Sequence, residues 1–289
     1  MSEITNIFKL AYKVSRVRFW LYLGGTYLIG YIIGISELSQ LLNLNFILHL
    51  FYFMIPANIF LYGINDITDK DTDQFNPKKD DKEYRAVEKD ERNLKIIVAI
   101  SFLYGIGLMI IQPDVTSILL FASWMTLSFF YSAKPFRFKA VPFLDFISNF
   151  LYVIPAILAY YQTTLIIPPF LPLFGAFLWT SAMQLFSAIP DIEADKKAGI
   201  KTTAVVVGKK ISLIMCFIFW LGFAFILVFV TPWNPPWNLL MFIYPVIPLF
   251  ILVKPDIDIV RVYWYYPIWT GIFGMILFLS IGFPLLGII

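Results

Sequence analysis

The chain has 289 residues, of which 60% are hydrophobic and only 14% are charged, whereas about a quarter of the residues in a soluble domain carry a charge. One Cys and one His exclude a disulfide framework and a metal site built from His and Cys side chains. The apolar residues form long runs between short charged segments, without the two-residue alternation of a membrane barrel. The composition therefore indicates a multi-pass membrane protein made of helices.

Crossing about 30 Å of hydrocarbon takes about 20 mostly apolar residues in a helix. Residues 1–18 are polar and basic, and we expect an amphipathic surface segment there and no cleavable signal. Nine apolar runs follow, so we predict an all-α membrane protein with nine transmembrane helices in a single domain, residues 1–289. The predicted spans are 19–36, 46–64, 94–112, 115–131, 142–161, 168–188, 211–230, 238–253 and 263–286.

The cationic residues predict the orientation of these spans. With nine spans, all 22 Lys and Arg residues fall in the N-terminal segment or in the loops after spans two, four, six and eight. Cationic loops stay in the cytoplasm. We therefore predict a protein of the cytoplasmic membrane with its N-terminus in the cytoplasm and its C-terminus outside.

An acidic motif follows the second span, where residues 65–73 read Asn-Asp-Ile-Thr-Asp-Lys-Asp-Thr-Asp. If the span stays helical for two more turns, Asn65, Asp69 and Asp73 share one face and Asp66 borders it. Crowded carboxylates repel one another unless a cation joins them, and hard oxygen ligands select magnesium or calcium. A solvated acidic loop is the alternative, but the helical spacing at a membrane boundary favours a metal site.

A second acidic pair, Asp191 and Asp195, follows the sixth span with its members one helical turn apart. One such pair is common on exposed helices, but two pairs on the same side of a bundle are more specific. Together they predict two Mg²⁺ ions around one diphosphate. No glycine-rich phosphate loop, dinucleotide fingerprint or Ser/His/Asp set supports another enzyme class.

Cationic side chains also follow the fourth span. Lys134, Arg137 and Lys139 can donate to phosphate oxygens, although Lys139 alone is better explained as an ordinary charge flanking a cytoplasmic helix end. Asp145 lies a turn inside span five, where a lone carboxylate is costly and usually functional, and Asn149 shares its face.

These motifs resemble those of the UbiA superfamily of intramembrane prenyltransferases, whose pattern is Asn-Asp-x-x-Asp-x-x-x-Asp after the second helix, Tyr and Lys after the fourth, and Asp-x-x-x-Asp after the sixth. The resemblance covers nearly the whole chain. It implies nine helices around a central cavity, cytoplasmic Asp-rich loops, magnesium and an allylic diphosphate donor. The matching residues are Asn65, Asp66, Asp69, Asp73, Tyr131, Lys134, Asp191 and Asp195.

The expected roles follow from the motifs and from this resemblance. The expected catalytic residues are Asp66, Asp69, Asp73, Tyr131, Lys134, Asp191 and Asp195. The expected metal ligands are Asn65, Asp69, Asp73, Asp191 and Asp195. The expected substrate-binding residues are Asn58, Asn65, Arg85, Arg137, Lys139, Asp145, Asn149 and Lys196.

Segments 76–79, 142–149 and 187–191 are similar to the lycopene elongase branch of the superfamily, and the Arg-Pro-Leu stretch of many ring-prenylating members is missing. This branch implies dimethylallyl diphosphate as donor and lycopene or a related polyene as acceptor, in membrane lipid and with no nucleic-acid partner; some members also add water. A quinone precursor, a chlorophyll precursor or a glycerol-phosphate lipid is the alternative acceptor. A secondary transporter is the alternative from another class, although transporters usually place such carboxylates near the midplane.

Overall fold

The computed structural model describes residues 3–69, 84, 90–231 and 236–285. Within these residues every regular element is a helix. Asp73, Arg85 and the segment 76–79, for which sequence predictions were made, lie outside the described residues. The first half of the chain contains α1 (Glu3–Val14), α2 (Thr26–Gly34), α3 (Leu44–Met54), α4 (Pro56–Thr68), α5 (Glu91–Ile110) and α6 (Val115–Ser132). The second half contains α7 (Leu144–Ile147), α8 (Ile154–Thr164), α9 (Phe170–Ala188), α10 (Ile192–Lys197), α11 (Thr203–Val230), α12 (Ile243–Val253) and α13 (Ile259–Leu285).

Seven helical segments of the described chain are long and apolar enough to cross a membrane. The predicted first span is instead a series of short 3-10, π and α turns between residues 17 and 34, and the predicted eighth span corresponds to the shorter apolar stretch Trp237–Val253. The helical membrane fold is confirmed, and nine crossings stay a prediction. The seven segments are Leu44–Thr68, Glu91–Ile110, Val115–Ser132, Leu144–Thr164, Phe170–Lys197, Thr203–Val230 and Ile259–Ser280.

Local sequence explains where several helices begin and break. Pro56 has no N–H to donate, so the long apolar run breaks at Ile55 between α3 and α4. The Asn58 amide donates to the carbonyl oxygens of Phe53 (3.0 Å) and Met54 (2.9 Å) at this break. Asn58 therefore stabilises the junction of two helices, and its expected role in substrate binding stays a prediction.

Large aromatic side chains fill the core between the helices, and Trp124, Trp220 and Tyr52 are fully buried. The helices α2 and α8 approach each other closely at Gly30. A Cβ added at Gly30 of α2 would lie 2.1 Å from the carbonyl oxygen of Ala156 in α8. A side chain at position 30 would thus force these two backbones apart.

A polar network is buried at the end of the bundle opposite the acidic motifs. Tyr27 donates to Gln162 (2.8 Å), and the Gln162 amide donates to Gln112 (2.9 Å). The Gln112 amide donates to His49 Nε2 (2.7 Å), while His49 Nδ1 donates to the carbonyl oxygen of Asn45 (2.8 Å). Every polar side-chain atom of Tyr27, His49, Gln112 and Gln162 thus has a partner. We call these four residues the opposite-end network.

Candidate active site

The first acidic motif lies at the C-terminal end of α4, beside a cavity of about 220 Å³. The helix was expected to continue for two turns beyond residue 64, but it ends at Thr68, and Asp69 caps it with non-helical backbone angles. Of the residues predicted from the sequence, those that line the cavity are Asn65, Asp69, Tyr131, Lys139, Asp191 and Asp195.

Two cations from the loop after α6 reach Asp69. Arg137 Nη2 donates to Asp69 Oδ1 at 2.7 Å, and Lys139 Nζ donates to Asp69 Oδ2. With its amide oriented to suit these neighbours, Asn65 donates to Asp69 Oδ2 (2.8 Å) and accepts from Lys139 (3.3 Å). The interpretation of Lys139 as an ordinary flanking charge is therefore wrong, because its ammonium group lies inside the cavity.

The charge on Lys139 depends on the anions around it. Burial of the side chain, and secondarily the Arg16 charge, lower the pKa of Lys139 to about 7, whereas the Asp66 and Asp195 carboxylates act in the opposite direction. An added anion in the cavity would favour the charged ammonium further. Lys139 is therefore suited to hold a negatively charged substrate group.

Arg16 belongs to the site, although the sequence analysis placed it in a surface segment. Its backbone is left-handed (φ 49°), and its guanidinium group reaches Asp66 Oδ1 at 2.9 Å and lies over the Tyr62 ring, 4.6 Å from the centroid. Arg16 lines the cavity, whereas Asp66 is fully buried behind it. Asp66 thus anchors Arg16, and its expected part in catalysis stays a prediction.

The second acidic pair lies beside the same cavity. The helix α9 ends at Ala188, a 3-10 turn containing Pro190 follows, and α10 carries the chain onward. Asp191 and Asp195 both line the cavity, and Thr202 Oγ1 donates to Asp195 Oδ2 at 3.3 Å. The structure therefore brings together two acidic motifs that lie more than a hundred residues apart in the chain.

The oxygen donors of this cavity fit magnesium. Asn65 and Asp69 belong to the first acidic motif, and Asp191 and Asp195 belong to the second. In the part of the chain that the structure describes, no group of three or more acidic, His or Cys side chains is close enough to enclose an ion by itself. Magnesium usually takes one or two carboxylates and completes its shell with water and substrate phosphates, so these residues suit an ion shared with a diphosphate.

Asp145 and Asn149 lie in a helix contact outside the cavity. Asp145 accepts from the backbone N–H groups of Thr203 (2.7 Å) and Phe146 (2.9 Å) and from the Thr203 hydroxyl. The Asn149 amide donates to the carbonyl oxygen of Asp145 (3.1 Å). Asp145 thus fastens the start of α11 to α7, and a role of Asp145 and Asn149 in substrate binding stays a prediction.

Two predicted lysines also lie outside the cavity. Lys134 is exposed at the start of the loop after α6, so Arg137 and Lys139 supply the cations that this motif was expected to bring. Lys196 is exposed on α10 and donates to Glu193 at 3.0 Å. Neither lysine is therefore among the residues that line the cavity.

The fold and the site define a helical membrane protein with an acidic, oxygen-lined cavity at the ends of its helices. The family model described as the UbiA prenyltransferase family matches residues 23–258. The chain belongs to this family, which confirms the resemblance seen in the motifs. The protein is therefore an enzyme, and the alternative of a secondary transporter is set aside.

Named relatives and solved structures agree with this family. The lycopene elongase/hydratase of Haloferax volcanii is 42% identical over 271 residues, which are 92% of this chain and 86% of the relative. That of Halobacterium salinarum is 38% identical and covers 93% and 96% of the two chains. The structure of a UbiA homolog from Archaeoglobus fulgidus bound to DMAPP and Mg²⁺ has a TM-score of 0.67 at 21% identity over 96% of this chain and 99% of that chain.

Proposed function

We propose that this protein transfers a five-carbon prenyl group from dimethylallyl diphosphate to the end of a linear carotenoid such as lycopene. The observation that carries the proposal is the composition of the cavity. Carboxylates of two motifs lie there beside the cations Arg16 and Lys139 and beside an aromatic wall formed by Phe19, Tyr22 and Tyr62. The relatives described as lycopene elongase/hydratase support a carotenoid acceptor. The solved homolog with DMAPP and Mg²⁺ supports the donor.

In this proposal Asn65, Asp69, Asp191 and Asp195 hold magnesium, with Asp73 as a further ligand and two ions in all. Bound magnesium neutralises the charge that develops on the departing diphosphate. The chain itself supplies Arg137 and Lys139, which both pair with Asp69 and would donate to phosphate oxygens when the donor binds.

The aromatic wall suits the rest of the reaction. The ring centroid of Phe19 lies 5.3 Å from the ring centroid of Tyr22 and 5.5 Å from that of Tyr62. Aromatic faces attract a cation and exclude water from it, so they protect the allylic cation until a double bond of the acceptor attacks. A polyene needs no charged anchor, in contrast to a glycerol-phosphate or aromatic-acid acceptor.

We also propose nine membrane crossings, with the first and eighth formed by the broken helix between residues 17 and 34 and by Trp237–Val253. The N-terminus and the acidic motifs then face the cytoplasm, where a water-soluble diphosphate is available, and the C-terminus lies outside. Reporter fusions at Lys197 and Ile289 test this orientation, and a cytoplasmic signal at Ile289 would contradict it.

The test of function uses the purified protein in lipid vesicles with magnesium, dimethylallyl diphosphate and either lycopene or 4-hydroxybenzoate. We expect lycopene derivatives heavier by one or two prenyl units, and none when a chelator replaces magnesium. Prenylation of the aromatic acid with lycopene unchanged would reject the carotenoid acceptor.

A further inference from the structure

The deeper wall of the cavity contains a pair of tyrosine hydroxyls in direct contact. Tyr62 Oη and Tyr152 Oη are 3.1 Å apart, both residues line the cavity, and both are buried. Tyr62 lies one turn before Asn65 on α4, so it connects the acidic motif with the aromatic wall. Tyr152 comes from the 3-10 turn Ser148–Tyr152 that leads into α8.

The transfer reaction proposed above leaves one proton to be removed, and most cavity groups are poorly suited to take it. Asp69 is paired with Arg137 and Lys139, and Asp191 and Asp195 are assigned to the metal. The only His of the chain, His49, belongs to the opposite-end network. Tyr22, Tyr131 and Tyr263 also line the cavity, and the Tyr62–Tyr152 pair is distinguished by the direct contact of its two hydroxyl oxygens.

A pair of hydroxyls can move a proton without keeping a charge. Each hydroxyl both donates and accepts a hydrogen bond, and in this pair either oxygen can be the donor. A proton that arrives on one oxygen is therefore matched by the release of the other oxygen's own proton. Tyr22 packs edge-on against Tyr152, with ring centroids 6.0 Å apart, so an aromatic ring covers one side of the pair.

We propose that the Tyr62–Tyr152 pair removes the proton that ends the reaction, an inference that rests on the proposed function. The donor C–O bond breaks and both of its electrons leave with the diphosphate. A double bond of the acceptor then supplies the pair for the new C–C bond, which moves the positive charge to an acceptor carbon. Loss of a proton from the adjacent carbon gives a double bond, whereas addition of water and loss of one of its protons gives an alcohol.

The proton balance is the same for both products. One oxygen of the pair takes the proton and passes its original proton to the partner oxygen, which in turn gives its own proton to the released diphosphate. The pair ends each turnover as two neutral hydroxyls. Because it contacts the reacting part of the acceptor, it also determines how the products divide between alkene and alcohol.

The test compares Tyr62→Phe, Tyr152→Phe and the double variant with the wild-type protein in the vesicle assay. General acid–base groups contribute about a hundredfold or more to a rate. We expect each single variant to lower kcat about a hundredfold with the KM for dimethylallyl diphosphate within about twofold of wild type. The double variant should be no slower, because the pair acts as one unit.

The matched control is Tyr52→Phe. The Tyr52 hydroxyl is buried outside the cavity and finds no hydrogen-bond partner among the described residues, so its loss should leave kcat and the product ratio unchanged. Incorporation of 3-fluorotyrosine at position 152, which keeps the ring's shape while making the hydroxyl more acidic, should shift the alkene-to-alcohol ratio.

Three results would overturn the role of the pair. These are single variants within about threefold of the wild-type kcat, a loss confined to KM, or an unchanged product ratio with 3-fluorotyrosine. If the wild-type protein itself leaves lycopene unprenylated, the proposed function fails. If wild type is active and the Phe variants match it, only the hydroxyl pair is rejected.

Discussion

The two ends of the bundle both bury polar side chains, but they use them differently. In the opposite-end network four neutral side chains satisfy one another, and none of them lines the acidic cavity. At the acidic end, Asp69 is held by Arg137 and Lys139 beside an open cavity. A closed neutral network is suited to joining helices. Charged groups around a cavity can instead replace their ion pairs within the protein with contacts to a charged substrate.

The largest effect should come from the cavity carboxylates. Asp69→Asn or Asp191→Asn removes a charged ligand that stabilises the leaving diphosphate, so we expect a loss of about a thousandfold in kcat/KM. The vesicle assay with lycopene measures it. Asp114→Asn at the other end is the control, because Asn also caps a helix N-terminus and should keep nearly full activity. Equal losses of kcat/KM from substitutions at the two ends would contradict a functional difference between the acidic end and the opposite end.

Arg16 should give the next largest effect. Arg16→Met leaves the buried Asp66 carboxylate without its guanidinium partner and uncovers the Tyr62 ring. We expect about a hundredfold loss of kcat/KM, on the scale of a broken buried ion pair. Arg16→Lys should recover part of this loss. If Arg16→Met keeps wild-type activity, the N-terminal segment does not belong to the site.

A substitution at Asp145 tests whether its buried carboxylate stabilises the fold or binds substrate. Asp145→Ala leaves the Thr203 N–H and hydroxyl without their acceptor, and we expect a loss of about 2–3 kcal/mol in the free energy of unfolding. Thermal unfolding in detergent measures this, with the exposed Asp256→Ala as the control. The remaining folded protein should keep its KM for the donor, and a large rise in that KM would return Asp145 to the substrate-binding set.

The smallest effect should come from the opposite-end network. Gln112→Leu leaves His49 Nε2 and the Gln162 amide with fewer partners, so the free energy of unfolding should fall by about 1–2 kcal/mol. The rate per folded molecule should not change, because the cavity lies at the other end. A selective fall in kcat at unchanged stability would show that this network takes part in the reaction.

The sequence predicted those features that depend on local spacing. The helical runs and the repeated Asp-x-x-x-Asp pattern identified the fold and four cavity residues, Asn65, Asp69, Asp191 and Asp195. Partners far apart in the chain could not be foreseen. Arg16 lies 50 residues from Asp66, and Thr203 lies 58 residues from Asp145. The sequence therefore suggested substrate binding for the carboxylate of Asp145 but did not show its contact with Thr203.

The central claim is that the donor diphosphate binds with magnesium in the cavity between the two acidic motifs. A structure of the protein with magnesium and an unreactive thio analogue of dimethylallyl diphosphate tests this most directly. We expect the diphosphate between the ends of α4 and α10, with Asp69 and Asp191 facing the metal and with Arg137 and Lys139 moved from Asp69 to phosphate oxygens. A diphosphate bound elsewhere, with the Arg137–Asp69 pair intact, would contradict the account.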